Sequence, residues 1–187
     1  MTTAVRYSPI AIWFHWIIAI LIVGNAALAI SLDYWPDEWV RPAVDMHKSI
    51  GITVLGLALM RILWRFAQRP PDLPPSYRQW ERSASHAAHL TLYLLMIAIP
   101  LSGWMHDSAW KDAPTHPMFW FGLFTWPRIG WIESVDPLLK ERLHDVFGAA
   151  HAYFGYALYA LLALHILGAL KHQFLDREPE LQRMWGA

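Results

Sequence analysis

The stretch FGAAHAYFGYALYALLALHILGALKHQF, residues 147–174, is long and almost wholly apolar, yet it contains three histidines. A helix that crosses a membrane needs about 20 predominantly apolar residues. Ionisable side chains at membrane depth are costly and are usually retained for a function. We therefore predict that this stretch is a transmembrane helix and that its histidines carry the chemistry of the protein.

The rest of the chain has three more stretches that are long and apolar enough to cross a bilayer: residues 10–32, 46–66 and 85–106. Apolar residues make up 56% of the chain, whereas they make up nearly half of a soluble domain. We predict an all-α fold, a membrane four-helix bundle in which residues 1–187 form a single domain. The segments between the spans are predicted to be loops: residues 33–45, 67–84 and 107–146. Asp136-Pro137 combines a capping residue with a first-turn proline, so the fourth helix is expected to begin before the membrane.

The composition excludes several classes of protein. The chain has no cysteine, which excludes disulfides, thiolate zinc sites, iron–sulfur clusters and covalently attached c-type haem. Its formal net charge is zero, so no basic excess points to nucleic acid as a partner. The twelve tryptophans suit membrane interfaces, where their amphipathic rings are stable at headgroup depth.

The lysines and arginines predict the orientation of the bundle. With four spans, both termini lie on one side, and that side holds nine basic residues: Arg6, Arg61, Arg65, Arg69, Arg78, Arg82, Lys171, Arg177 and Arg183. The first loop and its flank have only Arg41 and Lys48, and the long third loop has more acids than bases. Because cytoplasmic segments of membrane proteins are rich in Lys and Arg, we predict that both termini are cytoplasmic.

Four histidines match one another in depth. His151 and His165 are fourteen residues apart on the fourth helix, which places them on nearly one face, about 40° apart, and separates them by roughly 21 Å along the axis. His15 lies at the cytoplasmic level of His165, and His47 lies at the outer level of His151. Two imidazoles fill both axial positions of a haem iron. We therefore predict two b-type haems, one at each level.

From the residues alone, these histidines also allow roles without haem. A single membrane histidine often hydrogen-bonds to a neighbouring helix, but two depth-matched pairs are harder to account for in this way. A histidine-based metal-ion carrier would group its ligands at one depth and add acidic co-ligands, and carboxylates are nearly absent from the spans. A purely structural subunit would carry no pigment.

Three residues are candidates for holding the cofactor. Arg61 and Arg65 lie four residues apart at the cytoplasmic end of the second helix, and guanidinium groups match the geometry of haem propionates. Ordinary snorkelling and topology charge explain them equally well. Gly51 lies one turn after His47, where a missing side chain lets a flat ring approach; helix packing is the alternative.

The remaining histidines have several possible roles. His89, on the third helix near the inner haem, is a candidate for a propionate contact, a quinone pocket or a replacement ligand, and His86 is less favoured. His172, near the inner surface, is a candidate to hydrogen-bond a quinone carbonyl; an interfacial histidine without a special role is the alternative. His144 shares the face of His151 and is the second choice for the outer ligand. The aromatic third loop is interpreted as an interfacial belt in preference to a shield over the outer haem.

Several motifs, taken in order, resemble those of the prokaryotic cytochrome b561 family. They are Arg6-Tyr7-Ser8 with Phe14-His15-Trp16, His47-Lys48-Ser49-Ile50-Gly51, Arg61-Ile62-Leu63-Trp64-Arg65 followed by Pro70-Pro71, His89-Leu90-Thr91-Leu92-Tyr93 with Pro100-Leu101-Ser102-Gly103-Trp104, and Leu164-His165 through Lys171-His172-Gln173-Phe174. The resemblance covers almost the whole chain. It implies a four-helix bundle with two b haems in a bacterial inner membrane, where the protein is multi-pass. It also implies His15, His47, His151 and His165 as the axial ligands.

The resemblance further implies a superoxide oxidase-like activity, in which an electron from periplasmic superoxide reduces ubiquinone and oxygen is released. His172 matches a quinone-contacting histidine of such proteins, and His172 or His89 is expected to relay protons. Two features depart from the pattern: the paired histidine that ends the fourth helix is here His172-Gln173, and the outer loop is longer and acidic. An acidic surface does not attract an anion over long range, so superoxide would need a local cation, Lys48 or Lys111. The alternative is a relay that passes electrons from a partner dehydrogenase or hydrogenase to quinone.

Overall fold

Four long helices dominate the computed structural model, which describes residues 6–185. They are α1 (Pro9–Ser31), α2 (Asp37–Ala67), α3 (Gln79–Ser108) and α5 (Pro137–Leu170). The shorter helices are α4 (Gly130–Glu133) and α6 (Glu180–Met184), with 3₁₀ turns at Leu32–Tyr34 and Ala113–Thr115 and a π-helix at Lys171–Leu175 that continues α5. In the third loop, β1 (Phe119–Trp120) pairs antiparallel with β2 (Phe124–Thr125).

The long helices form an apolar bundle whose outer surface suits lipid. All four are long and apolar enough to cross a membrane, so the predicted all-α fold with four spans is confirmed. Along the chain, α1 packs on α2, α2 on α3 and α3 on α5. The buried apolar cluster is small and consists of Ile18, Val54, Ala58 and Met96, whereas many large apolar side chains point outward. An outward apolar surface of this kind is stable in a bilayer, because lipid tails are as apolar as the side chains.

Two helix starts lie earlier than predicted. Helix α2 begins at Asp37 and includes Pro42, although residues 33–45 were expected to form a loop. That expectation is wrong for residues 37–45. Pro42 is the sixth residue of the helix and cannot donate to the carbonyl of Glu38, yet the helix continues through it with one backbone hydrogen bond fewer. Helix α3 begins at Gln79, six residues before the predicted span. Its start is capped by Glu81, whose Oε2 accepts a hydrogen bond of 2.9 Å from the backbone N–H of Arg78.

The start of α5 confirms the expectation that the fourth helix begins before the membrane. Asp136 caps the helix, and its Oδ1 accepts a hydrogen bond of 3.0 Å from the backbone N–H of Leu139. Pro137 occupies the first helical position, where a missing N–H has no cost. Because α5 starts this early, one rigid helix contains every histidine from His144 to His165.

Both ends of the chain meet on one face of the bundle, which we call the terminal face. The backbone N–H of Tyr7 donates to the carbonyl of Arg183 at 3.2 Å, and Trp16 Nε1 donates to the carbonyl of Met184 at 2.7 Å. The buried Arg183 side chain also donates to the carbonyl of Asp72 at 2.8 Å. The C-terminal segment is thereby fastened to the loop between α2 and α3. We call the opposite face the loop face.

The aromatic hairpin of the loop face is held against α2. The Ser49 hydroxyl accepts from the backbone N–H of Phe121 at 3.0 Å and donates to the carbonyl of Phe119 at 3.2 Å. Trp120 Nε1 donates to the Thr53 hydroxyl at 3.1 Å. The turn needs positive φ at Phe121 and at Gly122. The hairpin therefore lies over the turns of α2 that immediately follow His47.

A buried ion cluster fastens the rest of the third loop. The Asp107 carboxylate, with 6% of its side chain exposed, accepts from Lys48 Nζ at 2.6 Å and from Arg128 Nε at 2.7 Å. Arg128 also donates to the carbonyls of Ala113 at 2.7 Å and His116 at 2.8 Å. One carboxylate thus joins α2, α3 and the loop.

Replacing Asp107 by Asn is expected to lower the free energy of unfolding by about 3 kcal/mol or more, because removal of one partner leaves buried charges uncompensated. Chemical denaturation in mixed micelles, followed by circular dichroism, measures this loss. The exposed Asp33→Asn variant is the control and should stay within about 0.5 kcal/mol of the original protein. Equal stability of the two variants would show that the cluster does not hold the loop.

Candidate functional site

Two pairs of histidines face each other inside the bundle at two heights. His15 of α1 and His165 of α5 form the terminal-face pair, with ring centres 6.3 Å apart and planes tilted by 59°. His47 of α2 and His151 of α5 form the loop-face pair, with ring centres 5.9 Å apart and planes at 82°. The structure thus brings the four histidines together in the pairs predicted from their depth.

The ring separations suit a metal ion between the two members of each pair. A transition metal lies about 2 Å from an imidazole nitrogen, so two imidazoles on opposite sides of one ion hold their nitrogens roughly 4 Å apart. Each ring centre lies one ring radius behind its nitrogen, so the two ring centres are farther apart than the two nitrogens. Within residues 6–185, no hydrogen bond joins the two rings of either pair. Direct hydrogen bonding between the rings therefore does not explain why they face each other.

His151 of the loop-face pair has the hydrogen-bond pattern of a metal ligand. Nδ1 of His151 lies 2.9 Å from the carbonyl oxygen of Ile99, and a carbonyl only accepts. The proton is therefore on Nδ1 and the lone pair on Nε2, which is the tautomer that binds metals through Nε2. Nδ1 of His47 and Oδ1 of Asn25 are buried and have no hydrogen-bond partner among residues 6–185. Unpaired buried polar atoms mark a site that a bound group or water completes.

Two glycines flank the loop-face pair. A Cβ atom at Gly103 would lie 3.0 Å from Cε1 of His151, so a side chain there would require the imidazole to shift by a few tenths of an ångström. Gly103 is part of a family motif in the sequence, but nothing in its local pattern indicates this contact. A Cβ at Gly51 would have a single neighbour, Nδ2 of Asn25 at 4.0 Å. Close packing therefore does not require glycine at position 51. The approach of a flat ring remains the explanation for glycine there.

A third imidazole approaches the terminal-face pair. The ring of His89 lies 5.5 Å from that of His165, at 67°, so His15 and His89 both lie beside His165. Arg61 Nη2 lies 3.3 Å from Nδ1 of His15. His86, the less favoured of the two histidines on α3, is exposed. The role of His89 as contact or replacement ligand stays a prediction.

A positively charged cavity of about 350 Å³ opens beside the terminal-face pair. Four arginines line it, and no carboxylate of the described chain does: Arg6, Arg61, Arg65 and Arg69. Arg61 and Arg65 both lie over the ring of Tyr93, at 5.5 and 5.6 Å from its centre. Burial raises the pKa of the Tyr7 hydroxyl, which therefore faces the cavity as a neutral donor. The cavity is suited to carboxylates such as haem propionates.

His172 lies in a polar cluster on the terminal face, within the π-helix. Its Nδ1 is 2.6 Å from Oδ2 of Asp176, and its ring stacks on Tyr77 at 4.1 Å and 19°. Lys171 Nζ donates to Glu81 at 2.5 Å and to Asp176 at 2.7 Å. The hydrogen bond from Lys171 lowers the pKa of Asp176. Glu81, His172 and Asp176 hold ligand atoms within 4.8 Å of one another, but the ammonium of Lys171 already contacts both carboxylates.

His144, the second choice for the outer ligand, is engaged elsewhere. Its ring stacks on that of His106 at 3.8 Å and 22°. Nδ1 of His106 lies 2.8 Å from the carbonyl of His144, and Nδ1 of His144 lies 3.1 Å from the carbonyl of His106. A Cβ at Gly148 would come within 2.8 Å of Cε1 of His106. This clamp between α3 and α5 was not predicted, because the sequence pattern presents His144 only as an alternative ligand on the face of His151.

Comparison with known proteins agrees with this arrangement. Residues 6–187 match the family described as prokaryotic cytochrome b561. The chain is 36% identical to cytochrome b561 homolog 2 of Escherichia coli (strain K12), over 98% of this chain and 93% of that protein. It is 27% identical to the probable superoxide oxidase CybB of Yersinia pestis, over 96% and 95% of the two chains. It is 24% identical to cytochrome b561 homolog 1 of E. coli (strain K12), over 96% of each. The chain therefore belongs to the prokaryotic cytochrome b561 family, whose members are membrane electron carriers that use haem b.

Proposed function

We propose that the protein holds two b haems, one between His15 and His165 and one between His47 and His151, and passes electrons from superoxide to ubiquinone. The observation that carries the proposal is the presence of two imidazole pairs at two heights, with ring centres 6.3 and 5.9 Å apart. Haem iron held by such imidazole pairs would supply one-electron transfer. The family membership supports haem b at this site.

The chain prepares each site for the cofactor in a different way. On the loop face, the carbonyl of Ile99 holds the proton of His151 on Nδ1, and Gly103 leaves space for the ring. On the terminal face, Arg61 lies against Nδ1 of His15, but a guanidinium only donates hydrogen bonds. Ligation through Nε2 of His15 puts a proton on Nδ1, so Arg61 must turn away, and propionate carboxylates beside Arg65 are its natural partners.

The two faces suit different ends of an electron path. Superoxide gives up one electron and becomes oxygen, which needs no proton and therefore no general acid. On the loop face, Lys48 follows His47, but its ammonium is paired with Asp107 at 2.6 Å. A contact of Lys48 with superoxide therefore requires an opening of that ion pair. The basic terminal face supports the cytoplasmic orientation of the termini, which places the loop face toward the periplasm.

Quinone reduction belongs at the terminal face, because it requires protons as well as electrons. His172 is 16% exposed at its side chain and lies seven residues beyond His165 on the same helix axis. It is our candidate for the group that hydrogen-bonds a quinone carbonyl. His89 lies deeper, beside His165, and serves as a second candidate for proton transfer or for contact with the cofactor.

A second function differs only in the electron donor. The hairpin and the adjacent α4 present exposed apolar side chains on the loop face, namely Leu123, Phe124 and Trp131. Exposed apolar groups of this kind suit a docked partner as well as the membrane interface. The pairing of Lys48 with Asp107 leaves the exposed Lys111 as the other candidate cation for superoxide. A dehydrogenase or hydrogenase partner would then supply the electrons. The two-level arrangement and the family membership favour electron transfer over the histidine-based metal-ion carrier.

Removing one member of a pair is expected to remove one haem. His165→Ala should lose the terminal-face haem and His151→Ala the loop-face haem, so that each variant retains about half of the haem and a different reduced α band. Pyridine haemochrome assays and difference spectra measure both effects. His86→Ala, at an exposed position, is the control with full haem content. Haem loss from His89→Ala but not from His15→Ala would assign His89 as the ligand.

A methyl group at position 103 is expected to displace His151, because its Cβ would lie 3.0 Å from the imidazole. Gly103→Ala should therefore weaken or remove the loop-face haem and leave the terminal-face haem in place. Gly168→Ala is the matched control, since a Cβ there meets nothing within 4 Å. Redox titration of both haems measures the result, and an unchanged loop-face haem in Gly103→Ala would contradict the assignment.

Stopped-flow mixing distinguishes the two electron donors. If superoxide is the substrate, it reduces the oxidised haems in a reaction that is faster than its own dismutation, and added ubiquinone reoxidises them. Lys48→Met should slow reduction by superoxide without affecting reduction by dithionite. Superoxide that reduces the haems no faster than controls would leave the partner-fed relay as the function.

A further inference from the structure

The hydrogen bond between His172 and Asp176 has the imidazole as its donor. Asp176 follows His172 by four residues and caps the end of the π-helix. Its Oδ2 lies 2.6 Å from Nδ1 of His172. The carboxylate is ionised, because the hydrogen bond from Lys171 lowers the pKa of Asp176, and an ionised carboxylate only accepts. The imidazole must therefore carry a proton on Nδ1. Its other nitrogen, Nε2, is left as the site where a second proton is bound or released.

The ring of His172 is held in one orientation from the other side. Tyr77 stacks on it with ring centres 4.1 Å apart and planes within 19°. The Tyr77 hydroxyl is buried without a hydrogen-bond partner among residues 6–185, and burial raises its pKa, so it is a neutral donor. Asp176 is in turn held by Lys171, which also binds Glu81 of α3. The pair thus has a fixed position relative to α3 and α5.

The pair connects the solvent to the bundle. Asp176 is 34% exposed at its side chain and His172 is 16% exposed. A cavity of about 500 Å³ opens beside them on the terminal face, and its wall includes Asp176, Glu81, Tyr77 and Glu178. Water in such a polar cavity has several groups with which to hydrogen-bond. His172, the more buried member of the pair, is therefore separated from bulk solvent by the side chain of Asp176.

We propose that Asp176 is the positioning residue that makes His172 the proton donor to the quinone. The proton comes from the cavity whose wall includes Asp176 and Glu178. This inference rests on the quinone-reducing function proposed above. Asp176 holds the tautomer and stabilises the imidazolium, as the carboxylate does in other Asp–His pairs that move protons. Tyr77 and Lys171 hold the two members of the pair in place.

The proton and electron balance is simple. Quinone takes two electrons, supplied through the cytochrome from two donors, and two protons to become quinol. The His172 imidazolium gives its Nε2 proton to the quinone oxygen that it contacts, and the N–H bond there breaks as the O–H bond forms. The Nδ1 proton stays on the hydrogen bond to Asp176. Cavity water then returns a proton to Nε2, and the second quinol proton also comes from water.

Asp176→Asn tests the inference, with Glu178→Gln as a matched control. Glu178 lies on the same cavity and loses the same charge, but its carboxylate contacts Ser76 at 2.6 Å and not the imidazole. Haems are reduced anaerobically with dithionite and mixed with a short-chain ubiquinone, so that no superoxide is needed. Asp176→Asn should lower the maximal rate of haem reoxidation roughly 10- to 100-fold with little change in KM. Glu178→Gln should resemble the original protein.

A second readout does not depend on activity. In protein labelled with ¹⁵N-histidine, the His172 signals are identified by their absence in His172→Gln. The neutral ring should keep its proton on Nδ1 in the original protein and in Glu178→Gln, and should mix both tautomers in Asp176→Asn. If Asp176→Asn does not load with haem, Asp176→Glu replaces it and should retain the Nδ1 tautomer and most of the rate.

The outcomes separate this inference from the proposed function. An original protein that never reduces quinone overturns the proposed function, whatever the tautomer of His172. Normal quinone reduction with equal rates and equal tautomers in Asp176→Asn and the original protein overturns the role of Asp176 alone. Equal slowing by Asp176→Asn and Glu178→Gln assigns the effect to the charge of the cavity and likewise overturns the positioning role.

Discussion

The structure depends on one helix supplying an imidazole to each of two levels. Helix α5 is continuous from Pro137 to Leu170, and at 1.5 Å per residue the fourteen-residue spacing of His151 and His165 fixes their separation at roughly 21 Å. The other two imidazoles come from helices that run in opposite directions, so each meets α5 near a different face. Every other element can be understood as holding α1 and α2 at a distance from α5 that leaves space between the rings. A closer approach would bring the imidazoles into direct contact, and a wider one would separate them beyond the reach of a single ion.

That requirement limits how much of the interior apolar side chains can fill. The buried apolar cluster consists of four side chains, and the loop-face region contains unpaired polar atoms of His47 and Asn25. A bundle that relied on side-chain packing alone would fill this space, since protein interiors are normally as dense as organic crystals. A flat apolar ring between the helices would complete the core and would stabilise the folded state, because it binds that state alone. Folding and cofactor binding are therefore coupled in the proposed function, in which Gly103 leaves space for the imidazole of His151 and Gly51 is a candidate position for the approach of the ring.

The spans and the depth of the histidines were predictable because both follow from spacing along a single helix. Hydropathy indicated the four spans, and the Asp136-Pro137 start was visible as a capping signal. The early start of α2 was missed, because a proline inside a helix removes a backbone hydrogen bond and the sequence alone does not show that the helix continues through Pro42. The His106–His144 clamp, the contact of Asp107 with Lys48 and Arg128, and the contact of Gly103 with His151 all join residues far apart in sequence. No local pattern contains such contacts, because they depend on how α3 packs against its neighbours.

The distribution of charge in the bundle bears on the proposed direction of electron flow, from the loop face to the terminal face. On the loop face, Lys48 and Arg128 share the carboxylate of Asp107, and Lys48 also lies 3.6 Å from the carboxylate of Asp45, so their positive charge is partly compensated. On the terminal face, four arginines surround a cavity that no carboxylate of the described chain lines. Two haem propionates would compensate only part of that charge. A positive potential stabilises an added electron, and inside a bundle of low dielectric it is weakly screened. In the function proposed above, the terminal-face level would therefore be the better electron acceptor, and it is also the level next to His172, the proposed proton donor to the quinone.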